Sequence, residues 1–178
     1  MSLIDSTYFV YDINLPAGTY SELANVIARY EPEILKRLLG YELYKDMVAN
    51  PSDARWVAFI SGVEYTVDYD GRDQIIKWNG LINNDKISLI AYYVYYWYLR
   101  NQASITNNVG EIKPSQENSF NAESVAKAMN AYTRLIDLYG CAGQSELIPS
   151  AYNFLNENED TYPEWVFKSL GKVNSHDL

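Results

Sequence analysis

The sequence predicts a mainly α-helical fold: a single-domain helical bundle with a small β-hairpin insertion and a long inter-helix loop. Three observations lead there. The first is the stretch Asn84–Gln102, NDKISLIAYYVYYWYLRNQ, in which only Ser88 is neither aliphatic nor aromatic between Ile87 and Leu99. That run is too long for an ordinary strand, and it opens on an Asn-Asp pair of the kind that caps helices. A helix apolar on every side must be buried on most of its faces, so this is the central element. A membrane span needs roughly 20 apolar residues. This run is shorter and carries Asp85, Lys86 and Arg100 at its ends. The second observation is apolar residues at helical spacing on both sides of that run. The third is a change of period to two around Asp70-Gly71, a hairpin turn dipeptide.

Size and composition agree. The chain has 178 residues, 48% of them apolar, enough for one domain with a real core. Its 17 Tyr and 4 Trp suit a core with polar edges or a contact surface. Buried phenols need partners, so several rings of the central helix should reach polar rims or subunit seams. The net charge of −9 disfavours any role that depends on gripping phosphates, so no specific nucleic-acid binding is expected. One cysteine permits no intramolecular disulfide, which fits a reducing compartment. The N-terminus lacks a basic region followed by a long apolar stretch, so no signal peptide is expected, and no membrane partner either.

Residues 1–18 read as an extended arm with the apolar run Tyr8–Tyr11. It packs on its own domain or reaches a neighbour, docking at home being the commoner outcome. Thr19 and Glu22 have capping-box spacing, and Leu23, Val26, Ile27 and Tyr30 follow at helical steps. Pro32 opens a second helix or kinks one long one. Glu31, Glu33 and Glu42, beside Arg29, Lys36 and Arg37, read as helix-surface charge pairing. Tyr41–Met47 forms a short helix, and Ser52 caps a further turn carrying Trp56, Phe59 and Ile60, closed by Gly62. The hairpin spans 64–78, with Tyr65, Val67 and Tyr69 on one face and Glu64, Thr66 and Asp68 on the other. After the central helix, residues 103–119 form a polar loop longer than a helix pair needs, and such loops are usually functional or disordered. Asn121 caps a last long helix with the stripe Val125, Met129, Tyr132, Ile136 and Tyr139, packed antiparallel on the central one. Gly140 ends it. Residues 141–178 form a C-terminal extension with a short helix over 146–154, an acidic loop over 156–163 and an apolar patch over Trp165–Leu170.

Catalytic signatures are missing. His176 is the only histidine and lies in the polar tail. Cys141 has no histidine nearby in sequence to activate it and reads as a small buried or semi-buried thiol. No Cys/His cluster has zinc spacing, and no phosphate-binding glycine loop or nucleophile elbow is present. No catalytic, cofactor-binding or metal-ligating residue is assigned. A carboxylate pair remains open, since acids are plentiful.

Two stretches carry a family likeness: TYSELANVIARYEPEILKRLLGYELYKDM, Thr19–Met47, and KISLIAYYVYYWYLRNQASITNNVGEIKPSQENS, Lys86–Ser119, with the helix that follows through Tyr139. In them the chain resembles phage or prophage head–tail connector (adaptor) proteins, as found in Bacteroides-type phages. To that pattern it adds the hairpin and the extension after Gly140. The resemblance implies a non-enzymatic virion protein, present in host cytoplasm during assembly, that forms a ring of its own copies between portal and tail or neck proteins. The resemblance further implies an acidic lumen that helps DNA slide, with which the net charge of −9 is compatible. Mapped onto this chain, the contact candidates are Thr106, Asn107, Asn108, Val109, Glu111 and Lys113 in the long loop. Asp70 and Arg72 at the hairpin tip and Trp165 and Phe167 near the C-terminus follow. The alternatives are a tail-completion or capsid-accessory protein and, in a different class, a small carboxylate-dependent hydrolase. A cleft holding two acids about 5–10 Å apart would mark the last.

Overall fold

The computed structural model describes residues 2–15, 20–102, 105–107, 110–112 and 118–170. The fold is mainly α. Among the described residues six α-helices run in the order α1 (Tyr20–Leu39), α2 (Tyr41–Ala49), α3 (Ala54–Ser61), α4 (Leu89–Gln102), α5 (Asn118–Tyr139) and α6 (Ala151–Glu157). A β-hairpin, β1 (Val63–Tyr69) and β2 (Arg72–Trp78), separates α3 from α4. Among the described residues, no helix is long and apolar enough to cross a membrane.

Helix α4 is the post of the bundle, and residues 89 to 96 are all buried. It starts later than the Asn-Asp signal suggests. Ser88, the one polar residue of the run, is buried and accepts from the amide of Ile90 at 3.2 Å, as an N-cap does. Asn83 instead braces the preceding loop, accepting from Ile87 N–H at 3.1 Å and donating to Ile87 O at 2.6 Å. The tyrosines of α4 do reach polar rims. Tyr92 donates to Asp12 at 2.9 Å and Tyr93 to Glu33 at 2.6 Å, while Tyr96 accepts from Arg100 at 3.1 Å. Trp97 stacks on Tyr30 of α1 at 5.3 Å between ring centroids.

Helix α1 runs unbroken through Pro32, so the single-helix reading holds. The capping residue proposed for it, Thr19, lies outside the described residues. Glu31 corrects the surface-pairing expectation. Its side chain is buried, and it accepts from Leu3 N–H at 2.9 Å, Ile4 N–H at 3.2 Å and the Ser2 hydroxyl at 3.0 Å. Glu31 therefore fixes the N-terminal arm to its own domain. The arm itself is not extended throughout: it makes 3-10 turns at Ser6–Tyr8 and Tyr11–Ile13 and buries Ile4, Tyr8, Phe9, Ile13 and Leu15. Periodicity could not reveal this, because the arm's partners lie on α1, α4 and α5.

Helix α5 packs on α4 with Tyr96 against Tyr132 at 4.9 Å. Leu89 at the start of α4 and Leu138 near the end of α5 line one cleft, while Tyr96 meets Tyr132 further along, so the helices run in opposite directions. The buried stripe is Ala128, Ala131, Tyr132, Leu135 and Tyr139, with Ile136 exposed and Val125 and Met129 half-buried. The predicted stripe is thus rotated. Small alanines admit the bulky α4 surface, which hydrophobicity alone does not convey. The helix also begins at Asn118, so Asn121 is internal and not its cap.

Other caps shift similarly. Asp53, not Ser52, caps α3 by accepting from Arg55 N–H at 3.0 Å. Ser150 caps α6, which starts after Pro149 and not at Glu146. Gly62 and Gly80 both have positive φ where the chain enters and leaves the hairpin, and their backbones press together. A Cβ on Gly80 would lie 2.5 Å from Ile60 O and from Gly62 N, so neither position has room for a side chain.

The hairpin base joins an aromatic cluster. Phe154 of α6 lies 5.6 to 6.0 Å from the rings of Tyr65, Trp78, Phe59 and Tyr162. The acidic 156–163 segment is more than a solvated loop: Tyr162 is buried and donates to Arg55 O at 2.7 Å. Cys141, by contrast, is exposed, since it follows the glycine that turns the chain away from α5.

Candidate functional site

The β1–β2 hairpin has the register expected of a two-residue turn. Asp70 and Gly71 both have positive φ, at 54° and 71°, which defines the type I′ geometry that matches strand twist. Tyr69 therefore pairs with Arg72, and the ladder continues through Val67↔Gln74, Tyr65↔Ile76 and Val63↔Trp78. These residues form the inner face, with Val67 and Trp78 buried. The outer face carries Glu64, Thr66 and Asp68 across from Lys77, Ile75 and Asp73. Ile75 is 74% exposed, the highest value, with Tyr11, among the large apolar residues described. Sequence reading assigned no role to Ile75. The signal was available: a two-residue turn places residue 75 opposite Thr66, which alternation had put on the solvated face.

The predicted tip residues Asp70 and Arg72 are exposed. Backbone around the long-loop candidates forms a second hairpin, β3 (Ile105–Asn107) and β4 (Gly110–Ile112), paired Thr106↔Glu111 and Asn107↔Gly110. This places Thr106, Asn107 and Glu111 on strands, where an unbroken loop was expected; the side chains of that stretch, and Asn108, Val109 and Lys113 altogether, lie outside the described residues. Trp165 and Phe167 dock on their own domain. Trp165 donates to Leu38 O at 2.8 Å, Phe167 packs on Tyr152 at 4.7 Å, and Tyr139 secures the segment that follows them by donating to Lys168 O at 2.6 Å. Both rings remain half-buried, so part of each faces solvent.

Two clefts bear on the hydrolase alternative. One, of about 410 Å³ with its open mouth, is lined by residues that include Trp78, Asn83, Asp85 and Leu138. The other, of about 330 Å³ with its open mouth, lies among Leu3, Glu31, Leu35 and Met47. Each holds one carboxylate, and that of Glu31 is already engaged by the arm. Neither presents the acid pair that glycoside-type chemistry uses. No group of three or more His, Cys, Asp or Glu suited to a metal ion occurs among the described residues.

The perturbed ionisations are structural in origin. Burial pushes the hydroxyls of Tyr65 and Tyr139 up to about 12, and burial followed by the Asp12 hydrogen bond does the same for Tyr92. Asp46 of α2 is held below the usual carboxylate range, first by the Trp56 indole N–H at 2.6 Å, then by the Arg55 guanidinium and by Asn50. These bonds tie α2 to α3.

Comparison with protein-family models, with curated proteins and with solved structures finds no match to this chain. What geometry defines is a helical body with an aromatic core and hairpins for appendages.

Proposed function

We propose that this chain is a structural subunit of a phage particle, a head–tail connector or neck protein that assembles as a ring of its own copies between portal and tail. The observation that carries this reading is the α4–α5 pair. The two helices are packed face to face, yet fifteen residues separate them in sequence, and the described ones among these, Ile105–Asn107 and Gly110–Ile112, pair as β3–β4. Antiparallel helices need a connection of about 2–8 residues, so the excess serves something other than closure. A rigid, hydrogen-bonded aromatic body holding such a connection suits a protein that joins other chains. The acidic balance suits a passage for DNA. No reaction is proposed.

The test is the mass in solution of the chain with and without the cognate portal, repeated after residues 105–112 are replaced by a short glycine–serine link. The expected result is a ring-sized complex with portal that the replacement abolishes, while the helical spectrum stays intact. A chain that never joins the portal, or joins equally well after the replacement, overturns the reading.

A further inference from the structure

We infer that the free edge of β2 is a self-complementary pairing surface, and that two copies of this chain join there, antiparallel and centred on Ile75, into one four-stranded sheet. The argument starts from the turn. In a two-residue hairpin the flanking residues exchange backbone hydrogen bonds, and bonded and non-bonded pairs then alternate. Tyr69↔Arg72 is the first bonded pair, so Val67↔Gln74 and Tyr65↔Ile76 are bonded too. Asp73, Ile75 and Lys77 must then turn their N–H and C=O groups outward, away from β1. Apart from the ladder itself, no backbone hydrogen bond of the described residues involves residues 63–78. Residues 72–75 and 77 are exposed. The outer edge of β2 is thus an open template of the kind that captures another strand.

Charge then selects the occupant. Let β2 meet a second β2 about a two-fold axis at Ile75. Ile75 faces Ile75, Asp73 faces the other copy's Lys77, and Lys77 faces its Asp73. Those three positions are the ones whose backbone groups point outward, so all three pairs are of the hydrogen-bonded type. Two opposite-charge cross-strand pairs flank an apolar one on a single face. Two other pairings of these edges are less complementary. For β1, the outward residues are Glu64, Thr66 and Asp68, and a β1–β1 pair centred on Thr66 would set Glu64 against Asp68 twice. A β2–β1 pair repeating the internal register sets Asp73 against Asp68 and leaves Lys77 against Glu64 as its one opposite-charge pair. Charged residues on an edge ordinarily block pairing. Here their order favours this pairing over those two. It also gives the most exposed large apolar residue of the hairpin, Ile75, an apolar partner.

Opposed strand directions put each body at the far end of the other copy's hairpin. The contact is isologous and closes at two chains, so it is not the contact that would build a ring, and the inference does not rest on the neck reading.

The experiment is sedimentation equilibrium of the full chain over a concentration series, at low and high salt, on the wild type and three variants. Wild type should rise with concentration from 20.4 kDa to twice that mass. Asp73→Lys and Lys77→Asp each place like charges at both flanking pairs, so each alone should stay monomeric, at least tenfold weaker in self-association. Mixed together they should form a heterodimer, because all-lysine then faces all-aspartate. The double variant Asp73→Lys/Lys77→Asp restores complementarity and should dimerise as wild type does. Thermal melts of each variant confirm folding. Wild type that remains monomeric to millimolar concentration overturns the inference. So does a dimer that the single variants leave intact, or single variants that fail to pair when mixed although folded. Portal binding is read separately, so loss of one result leaves the other standing.

Discussion

Removing the carboxylate of Glu31 should release the N-terminal arm. In Glu31→Ala, the Leu3 and Ile4 amides and the Ser2 hydroxyl lose their acceptor. Hydrogen bonds to a charged group contribute about 1.5–3 kcal/mol each, and a buried donor left unsatisfied costs about 1–3 kcal/mol. The three share one carboxylate and the amides lie next to each other, so their contributions do not add fully. Water also enters once the arm loosens. An overall loss of about 3 kcal/mol is expected, which lowers Tm by about 6–12 °C for a domain of this size. Glu31→Gln keeps the shape and one acceptor oxygen but turns an NH₂ towards the remaining donors, and should lose about half as much. Urea unfolding followed by tryptophan fluorescence gives the energies. Hydrogen exchange at Leu3 and Ile4, and chymotryptic cleavage after Tyr8 or Phe9, report the arm directly. If Glu31→Ala lies within about 0.5 kcal/mol of wild type with both amides still protected, the carboxylate is not what holds the arm.

Other consequences are as definite. Asp46 has a folded pKa below its unfolded value, so its stabilisation is complete above the ordinary carboxylate pKa and is lost as pH falls through the folded one. Urea midpoints measured from pH 6 down to pH 2 should show a shallower acid limb for Asp46→Asn than for wild type. Tyrosine hydroxyls shift the other way. Tyr65, Tyr92 and Tyr139 are raised to about 12, so the stability they contribute is present below about pH 10 and lost as pH climbs towards 12. Ultraviolet titration should show a late tyrosinate fraction that appears together with loss of near-UV circular dichroism. Gly80→Ala meets backbone at 2.5 Å and should cost about 3 kcal/mol or more, whereas Gly71→Ala has open space and bears only the left-handed penalty of about 1 kcal/mol, both read from urea melts. Phe154→Ala should cost about 3–5 kcal/mol and raise exchange across β1–β2, since that ring holds the hairpin base to the bundle.

What the sequence determined by itself was whatever depends on neighbours a few residues apart. The all-round apolar run marked α4 as the buried post, because no face of it could tolerate water. Asp70-Gly71 specified the turn, and with it the whole hairpin register, because side chains alternate with period two. Gly40, Gly62 and Gly140 marked chain ends of helices through their positive φ. Tertiary structure decided the rest. The rotation of α5 followed from which of its residues were small enough to sit on α4's tyrosines. Glu31 became an anchor, and Trp165 and Phe167 became internal contacts, because segments far away in the chain arrived at α1 and α5. Long-range packing chooses partners by shape and unsatisfied hydrogen bonds, and neither leaves a period in the sequence. Ile75 lies between the two cases: alternation places it outward, but only the fold shows that none of the described residues pairs with the edge it sits on.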